Sequence, residues 1–346
     1  MRIAYQIPFL NTIYAGRVIY HGYKNAFIDL EHEFLPWTAE TSTSEIEKFE
    51  PEILITSIGK YSLKYLDLDV VKNLRKKGLK VFVNTPFWKS PLSKLRINEE
   101  NSLSQNETYI NLIKSGFGDF YFNVCETGDE RMEGFEEVTG YKHITIPLAA
   151  DKILHFPEFT EKFKAEISFI GTNLPDKRAF FEEYVFPLKE KYDLKLYGQD
   201  WTSRDKALGL TQKVGHYFNI PILRNIQKPK LQLEDERRIY TSSSISINVH
   251  EEYQRKFGKD CNERTFKIPA CDGFEITDDV ECIRKYFVEN EEIVIAKNKD
   301  DWYEKIDFYL KNPEKREKIT KAGKRKVLAE HTYHNRVNQI IALSKQ

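Results

Sequence analysis

Short apolar strands alternate with helices along most of the chain, and this rhythm restricts its fold more than any other sequence feature. Parallel strands must be joined by crossover segments, usually helices, so the alternation predicts parallel sheets covered by helices on both faces. In the first half it predicts helices over residues 18–30 and 70–77, and strands over residues 2–7, 52–57, 80–84, 120–124 and 143–147.

The same rhythm restarts after a polar, Phe-rich stretch at residues 151–164. It predicts strands over residues 166–170, 194–197, 245–249, 274–277 and 292–296, and helices over residues 178–191, 300–310 and 313–330. A chain of 346 residues usually folds as two domains. Residues 204–238 are polar and weakly periodic, which predicts a loop-rich excursion or a lid.

Composition excludes several classes of protein. The 53 basic and 53 acidic residues balance, so no overall field draws the chain to nucleic acid. No apolar run reaches the roughly 18 to 20 residues of a membrane span, and the first residues lack the pattern of a signal peptide, so we expect a cytoplasmic protein. The four cysteines form no C-x-x-C pair and have no histidine cluster at zinc spacing, which indicates reduced thiols and no metal site.

One stretch of the second half predicts where a ligand binds. After the strand that ends near Asn248 and His250, Asn262 is a favourable N-cap and Glu263 complements the dipole of the helix that follows. Arg264 adds a guanidinium group in the first turn, so this helix start is suited to an anion such as a phosphate. Because ligands of open α/β sheets bind beyond the carboxyl ends of the strands, we expect Asn248 and His250 to share one cleft with Gly171 and Thr172.

Over roughly residues 145–340 the sequence resembles the CgeB-like family of GT-B glycosyltransferases, named after spore-maturation proteins. The matching segments, in order, are Ile167–Thr172 followed by Arg178, Leu196–Gly198 with Trp201, Tyr240–His250, Arg264–Phe266 with Ala270, Cys271, Gly273 and Phe274, and His331–Arg336. The order and spacing of these segments are more specific than any one of them.

The resemblance implies two Rossmann-like domains that face each other across a cleft. An N-terminal domain (1–155) would hold the acceptor, a C-terminal domain (156–330) the nucleotide-diphosphate sugar, and a last helix (331–346) would pack near the domain junction. It implies no cofactor and no metal ion, because cationic groups and a helix start offset the diphosphate charge. The donor site implied comprises Gly171, Thr172, Arg178, Asn248, His250, Asn262, Glu263, Arg264, Thr265, Phe266 and Lys267.

The sequence departs from the family pattern at Lys267, where the family has a glutamate that accepts hydrogen bonds from the ribose, and at Asp272, where it has glycine. Lysine only donates. Glu263 precedes Lys267 by four residues, the favoured order for an ion pair on a helix. We therefore predict that pair, and hypothesise that Glu263 takes over a ribose contact.

The acceptor side and the catalytic base are expected in the first half. His21, near Tyr14 and Arg17, and Glu126 are the candidate bases, although His21 is also explained as an ordinary helix residue. Further acceptor contacts are expected from Asn84 and from Trp88, whose ring offers a platform for a sugar; simple packing is the alternative explanation for both.

The segment Lys311–Lys326, with eight basic and two acidic residues, is a candidate contact for an anionic membrane surface or a polyprenyl-phosphate acceptor, or else a solvated face. The sequence therefore favours a metal-independent glycosyltransferase acting on a hydroxyl of a glycan, a lipid-linked glycan or another surface-polymer precursor. The rival functions are a non-catalytic assembly protein with the same fold, a glycosyltransferase acting on a DNA base and, more remotely, a nucleotide-sugar epimerase.

Overall fold

The computed structural model describes residues 1–10, 14–91, 102–224, 226 and 231–346, without the side chains of Tyr14, His216 and Arg224. The described part of the chain contains two parallel β-sheets. The first sheet has the strand order β2-β1-β3-β4-β5-β6 and comprises β1 Arg2–Gln6, β2 Glu33–Trp37, β3 Ile53–Ser57, β4 Lys80–Asn84, β5 Phe120–Asn123 and β6 His143–Thr145. The second has the order β11-β10-β9-β7-β8 and comprises β7 Ala165–Ile170, β8 Leu194–Tyr197, β9 Ser243–Asn248, β10 Glu275–Asp278 and β11 Val294–Ala296.

Helices connect the strands and cover both sheets. They are α1 Tyr14–Asp29, α2 Thr43–Phe49, α3 Lys60–Leu63, α4 Leu68–Lys76, α5 Glu107–Lys114, α6 Phe135–Thr139, α7 Arg178–Phe180, α8 Ser203–Tyr217, α9 Pro221–Arg224, α10 Leu233–Ser242, α11 Glu252–Phe257, α12 Arg264–Ala270, α13 Ile283–Tyr286, α14 Lys299–Lys311, α15 Pro313–Glu330 and α16 Tyr333–Ser344. Within the described ranges, none of them is long and apolar enough to cross a bilayer.

Each sheet has its own apolar core, and the last helix joins the core of the first sheet. Tyr333, Val337 and Ile340 of α16 are buried in one cluster with Ile3 and Phe27. The chain therefore returns from the second sheet to the first, and the predicted boundary near residue 155 falls between β6 and β7. The four cysteines are buried and unpaired.

The predicted α/β class with two parallel sheets is confirmed, and each predicted strand lies within two residues of an observed one. Strand β2 was not predicted, because it contains Pro36 and lies at the edge of its sheet, where a missing N–H donor is tolerated. The predicted helix at 178–191 is divided into α7, a π-helix at 181–185 and a 3-10 helix at 186–190. The prediction of a loop-rich segment at 204–238 is wrong, because most of its described residues form α8, α9 and α10.

Candidate functional site

The second sheet has a topological switch point between β7 and β9. From β7 the chain first adds β8 on one side and then crosses to add β9 on the other. The connections therefore leave these two strand ends in opposite directions and open a crevice, the usual ligand site of an open α/β sheet. The crevice lies at the carboxyl ends of β7 and β9, which are the residues Ile170 and Asn248.

Arg264, in the first turn of α12, joins the two strand ends at this crevice. Its Nη1 donates to the Ile170 carbonyl (3.3 Å), and its Nη2 donates to the Val249 carbonyl (2.8 Å). Its Nε donates to Asn248 Oδ1 (2.9 Å), and the guanidinium lies 5.3 Å from the centre of the Phe169 ring. A positive charge is thus fixed at the switch point.

Three of the other predicted donor residues surround Arg264 in one hydrogen-bond network. Asn262 Oδ1 accepts from the Arg264 backbone N–H (3.0 Å), and Asn262 Nδ2 donates to Asn248 Oδ1 (2.9 Å). The N-cap of α12 is Glu263, which corrects the prediction that Asn262 holds that position. Asn248 Nδ2 in turn donates to Thr265 Oγ1 (3.1 Å) and to Glu275 Oε1 (2.8 Å). The structure therefore brings Asn248, Asn262, Arg264 and Thr265 together.

Lys177 is a member of this site that sequence reasoning missed. Its side chain is buried and its Nζ donates to the Val249 carbonyl (3.2 Å), the same oxygen that Arg264 binds. Burial, with the nearby Arg264 charge, lowers the pKa of Lys177 to about 7. The Lys-Arg pair after β7 was the signal in the sequence, and our prediction named only Arg178. Arg178 is largely exposed, its Nε donates to Glu182 (2.8 Å), and it borders a cavity of about 430 Å³ with Asn173 and Asp200.

Gly171 and Thr172 lie at the end of β7, as predicted. The Gly171 carbonyl accepts from Trp201 Nε1 (2.7 Å), and a Cβ on Gly171 would lie 2.8 Å from the Phe169 ring. Its neighbour across the strands, Gly198, has φ +116° and leaves no room for a side chain, because a Cβ there would lie 2.2 Å from the Gly171 carbonyl oxygen. The two glycines thus let the strand ends approach closely.

His250 lies beneath the crevice and is fully buried. Its Nδ1 contacts Asp278 Oδ1 (2.6 Å), and its Nε2 lies 3.3 Å from Thr265 Oγ1. Although burial opposes ionisation of Asp278, His250 and Arg255 hold the pKa of this carboxyl down at about 2. The geometry makes His250 a support for the strand end, which corrects the prediction that it lines the donor site.

Phe266 and Lys267 also turn away from the crevice. Phe266 is buried against Tyr286. Lys267 Nζ donates to both oxygens of Glu236 on α10 (3.0 and 3.1 Å) and lies 3.1 Å from Glu263 Oε2, which confirms the predicted pair between Lys267 and Glu263. Glu263 Oε1 is buried and has no hydrogen-bond partner among the described residues.

The first sheet has a cavity of about 240 Å³ at the carboxyl ends of its strands. Its lining includes the predicted acceptor residue Asn84, with Gln6 and Ser57 from neighbouring strand ends and Tyr333 from α16. Trp88 does not reach it: only 6% of Trp88 is exposed, and its ring packs against Phe135 in the core. The predicted stacking of Trp88 on a sugar does not fit this burial.

The other predicted residues of the first half lie on α1 and at the domain junction. His21 is half-buried on α1, where burial and the Lys24 and Arg17 charges lower its pKa. Arg17 Nη2 donates to the Leu231 carbonyl (3.0 Å), and the side chain of Tyr14 lies outside the described part of the chain. Both carboxylate oxygens of Glu126 are engaged, one by Lys285 and one by the Tyr286 hydroxyl, so Glu126 joins the two halves rather than presenting a free base.

Comparisons with known proteins agree with this architecture. Residues 178–342 match the family model described as glycosyl transferase-like. The spore protein CgeB of Bacillus subtilis (strain 168) is 24% identical over 204 residues; the match covers 56% of this chain and 59% of that protein, less than two thirds of its length.

Two solved structures cover nearly the whole chain at low sequence identity. The sucrose-phosphate synthase from Thermosynechococcus elongatus is 12% identical, with a TM-score of 0.62 and coverage of 99% of this chain and 98% of that chain. An α-glucosyltransferase in complex with UDP and a 13-mer DNA containing an HMU base is 11% identical, with a TM-score of 0.64 and full coverage of both chains. These likenesses show that the chain has the GT-B fold, as predicted.

Proposed function

We propose that this chain is a glycosyltransferase that moves a sugar from a nucleotide-diphosphate sugar to a hydroxyl group of a glycan, a lipid-linked glycan or another surface-polymer precursor. The observation that carries the proposal is the pair of cationic side chains, Lys177 and Arg264, at the switch point of the second sheet. Arg264 lies within the residues that match the glycosyl transferase-like model.

The proposed reaction needs positive charge at this place. The acceptor oxygen forms a bond to the anomeric carbon of the donor sugar, the bond from that carbon to the diphosphate oxygen breaks, and the nucleoside diphosphate leaves with the electron pair. Fixed cations stabilise the charge that grows on the leaving group. In this proposal Lys177 and Arg264 perform that task in place of a metal ion, and a bound diphosphate keeps Lys177 protonated by raising its pKa from about 7.

The acceptor would enter from the first sheet, whose cavity offers the Asn84 amide and the Ser57 hydroxyl as hydrogen-bonding groups. The hydroxyl proton must go to a base during transfer. His21 is our candidate, because it lies on α1, the helix that borders this cavity through Ile19 and Tyr23, and burial lowers its pKa, which favours the neutral imidazole that a base requires. Glu126 is a weaker candidate, since Lys285 and Tyr286 hold its carboxylate.

A second part of the proposal concerns the ribose of the donor. Lys267 replaces the expected carboxylate, but it is buried between Glu236 and Glu263 and offers no group to a ligand. Glu263 Oε1 is also buried but lacks a described partner, so in this proposal nucleotide binding exposes it and a ribose hydroxyl donates to it. Glu263→Ala should therefore weaken nucleotide binding, and an unchanged affinity would exclude this role.

The main test is calorimetric titration of UDP, ADP and GDP into the wild type, Lys177→Met and Lys189→Met, with a panel of nucleotide sugars assayed for hydrolysis and transfer. A hydrogen bond to a charged group contributes about 1.5–3 kcal/mol, so we expect Lys177→Met to weaken diphosphate binding roughly tenfold to a hundredfold. Lys189 is exposed on the same connection, and its variant should bind as the wild type does.

Two outcomes would replace the proposal. If no nucleotide binds and no donor is turned over, the chain is an assembly protein that keeps the fold without the chemistry. Tight, salt-dependent binding of duplex DNA would favour transfer to a DNA base, the kind of ligand seen with the structurally similar α-glucosyltransferase.

A further inference from the structure

Helices α8 and α9 form a hairpin, residues 203–224, that contributes to none of the apolar cores among the described residues. One side of α8 borders the cavity beside Asn173 and Arg178. The two helices pack chiefly on each other, and Asn219 turns the chain between them with φ 52°. No residue of the hairpin belongs to a buried apolar cluster among the described residues. Its apolar side chains therefore do not serve to hold it on the second sheet.

The tip of the hairpin is the most exposed apolar surface that the structure describes. Tyr217 is 84% exposed, Ile222 78% and Phe218 65%, and Leu210 farther down α8 is 64% exposed. These are the four highest exposures of large apolar side chains in the described residues. Such a concentration of exposed aromatic and aliphatic groups marks an interaction surface.

The hairpin is also basic, within a chain whose charges balance. Residues 203–224 hold four basic residues and one acidic residue. Arg204, Lys206 and Lys213 on α8 make no ion pair with any described residue. Their charge is therefore available to an anionic partner.

We infer that the hairpin docks the protein on an anionic lipid surface, with Tyr217, Phe218 and Ile222 at the level of the headgroups. Aromatic and aliphatic side chains bury their apolar parts at the boundary of the acyl chains, and basic side chains beside them attract anionic headgroups. A symmetric contact between two copies would bring the basic hairpins together, and a nucleic acid would leave the apolar tip in water. An anionic lipid surface can bury the apolar tip of the hairpin and bind its basic side chains at the same time.

This inference replaces Lys311–Lys326 as the expected membrane contact. The apolar face of α15 is already used, because Ile319 and Val327 are buried. Several of its basic residues are paired, such as Lys324 with Asp272 (3.5 Å), Lys326 with Glu330 (2.6 Å) and Lys321 with Glu317. No large apolar side chain of that segment is exposed. The segment therefore has basic residues but no apolar group that could insert into a bilayer.

Co-sedimentation with vesicles tests the inference. We expect the wild type to pellet with phosphatidylcholine vesicles that contain phosphatidylglycerol, to remain in solution with phosphatidylcholine alone, and to bind less as salt is raised. The combined change Tyr217→Ser, Phe218→Ser and Ile222→Ser should weaken binding by about tenfold or more, because it removes the inserted groups. The pair Lys206→Glu and Lys213→Glu should weaken it by a similar factor.

Matched control variants show whether vesicle binding depends on the hairpin or on exposed apolar and basic residues anywhere on the surface. Phe159→Ser, Val288→Ser and Leu328→Ser together remove three exposed apolar side chains elsewhere, and Lys318→Glu with Lys321→Glu reverses two charges on α15; both should bind vesicles as the wild type does. Circular dichroism and nucleotide titration of the tip variant check that it folds, independently of vesicle binding.

Three results would overturn the inference: a wild type that stays in solution with anionic vesicles, a tip variant that pellets as fully as the wild type, or loss of binding in the α15 variant. If the wild type is a dimer by light scattering and the tip variant is a monomer, while neither binds vesicles, the hairpin is an interface between two copies instead.

Discussion

Glu275 in β10 is a buried carboxyl group beside the switch point. Its Oε1 accepts from Asn248 Nδ2 (2.8 Å), and its Oε2 is buried without a described partner. Burial is the main cause that raises the pKa of Glu275 to about 8. The folded chain therefore holds this side chain protonated and neutral at pH 7, whereas the unfolded chain ionises it near its ordinary pKa.

From this difference we predict how stability changes with pH. The pKa of Glu275 is higher in the folded chain than in the unfolded chain. Its favourable contribution to the free energy of unfolding is therefore complete below about pH 4.5 and is lost as pH rises to about 8. Glu275→Gln mimics the protonated form and has no such loss, so its free energy of unfolding should exceed that of the wild type by a margin that grows between pH 5 and pH 8.5. Each unit of pKa shift corresponds to about 1.4 kcal/mol. Urea unfolding at both pH values measures the margin; an equal margin at both, as expected for the exposed control Glu291→Gln, would contradict the prediction.

Local sequence patterns predicted contacts between residues that are close in the chain. They did not predict contacts between segments that are far apart in the chain. The pair of Glu263 and Lys267 follows from the pitch of one helical turn, and it was predicted from spacing alone. Glu236, the other partner of Lys267, comes from α10, 31 residues away, and no sequence spacing indicates it.

The same contrast holds for whole elements. Most strands were found because both faces of a central parallel strand are apolar. The hairpin of α8 and α9 was missed because its helices pack on each other and leave apolar groups in water, so their pattern lacks the period of a helix on a core. In the site, a Lys-Arg pair could be recognised, but burial alone decides that Lys177 rather than Arg178 faces the switch point.

Helix α16 depends on one glycine in α1. A Cβ on Gly22 would lie 2.2 Å from the ring of Tyr333, which is buried in the core between α1 and α16. Alanine favours a helix interior by about 1 kcal/mol over glycine, but this close approach reverses the preference. The glycine thus fixes the spacing between α1 and α16.

We predict that Gly22→Ala destabilises the protein by about 1–3 kcal/mol, the usual cost of overpacking a core. Ile28→Ala on the same helix changes a half-exposed side chain and should stay within about 0.5 kcal/mol of the wild type. Thermal and urea unfolding of the two variants give the comparison. A neutral or stabilising Gly22→Ala would mean that α16 does not rest on α1 as described.

At the scale of the whole molecule, buried charges join the two halves. Arg131 follows β5 of the first sheet, and its Nε donates to Asp129 (2.9 Å), while its Nη2 donates to Asp260 of the second half (2.5 Å). Asp260 also accepts from Gln254 Nε2 (2.8 Å), and the Arg131 guanidinium lies 4.2 Å from the centre of the Phe87 ring. All the charged groups are buried, so their attraction is poorly screened and their separation is costly.

Removing the central cation should therefore uncouple the domains. Arg131→Met leaves the carboxylates of Asp129 and Asp260 buried together without a compensating cation, and breaking a buried ion pair in this way costs about 3–5 kcal/mol. We expect the variant to unfold at lower urea concentration, in two steps instead of one, as followed by tryptophan fluorescence. Lys89→Met, which breaks an exposed pair with Glu133 in the same domain, should leave the unfolding curve unchanged. Addition of Asp260→Asn to Arg131→Met should recover part of the loss by removing one unpaired charge; no recovery would show that Arg131 stabilises the fold through packing rather than through this bridge between the domains.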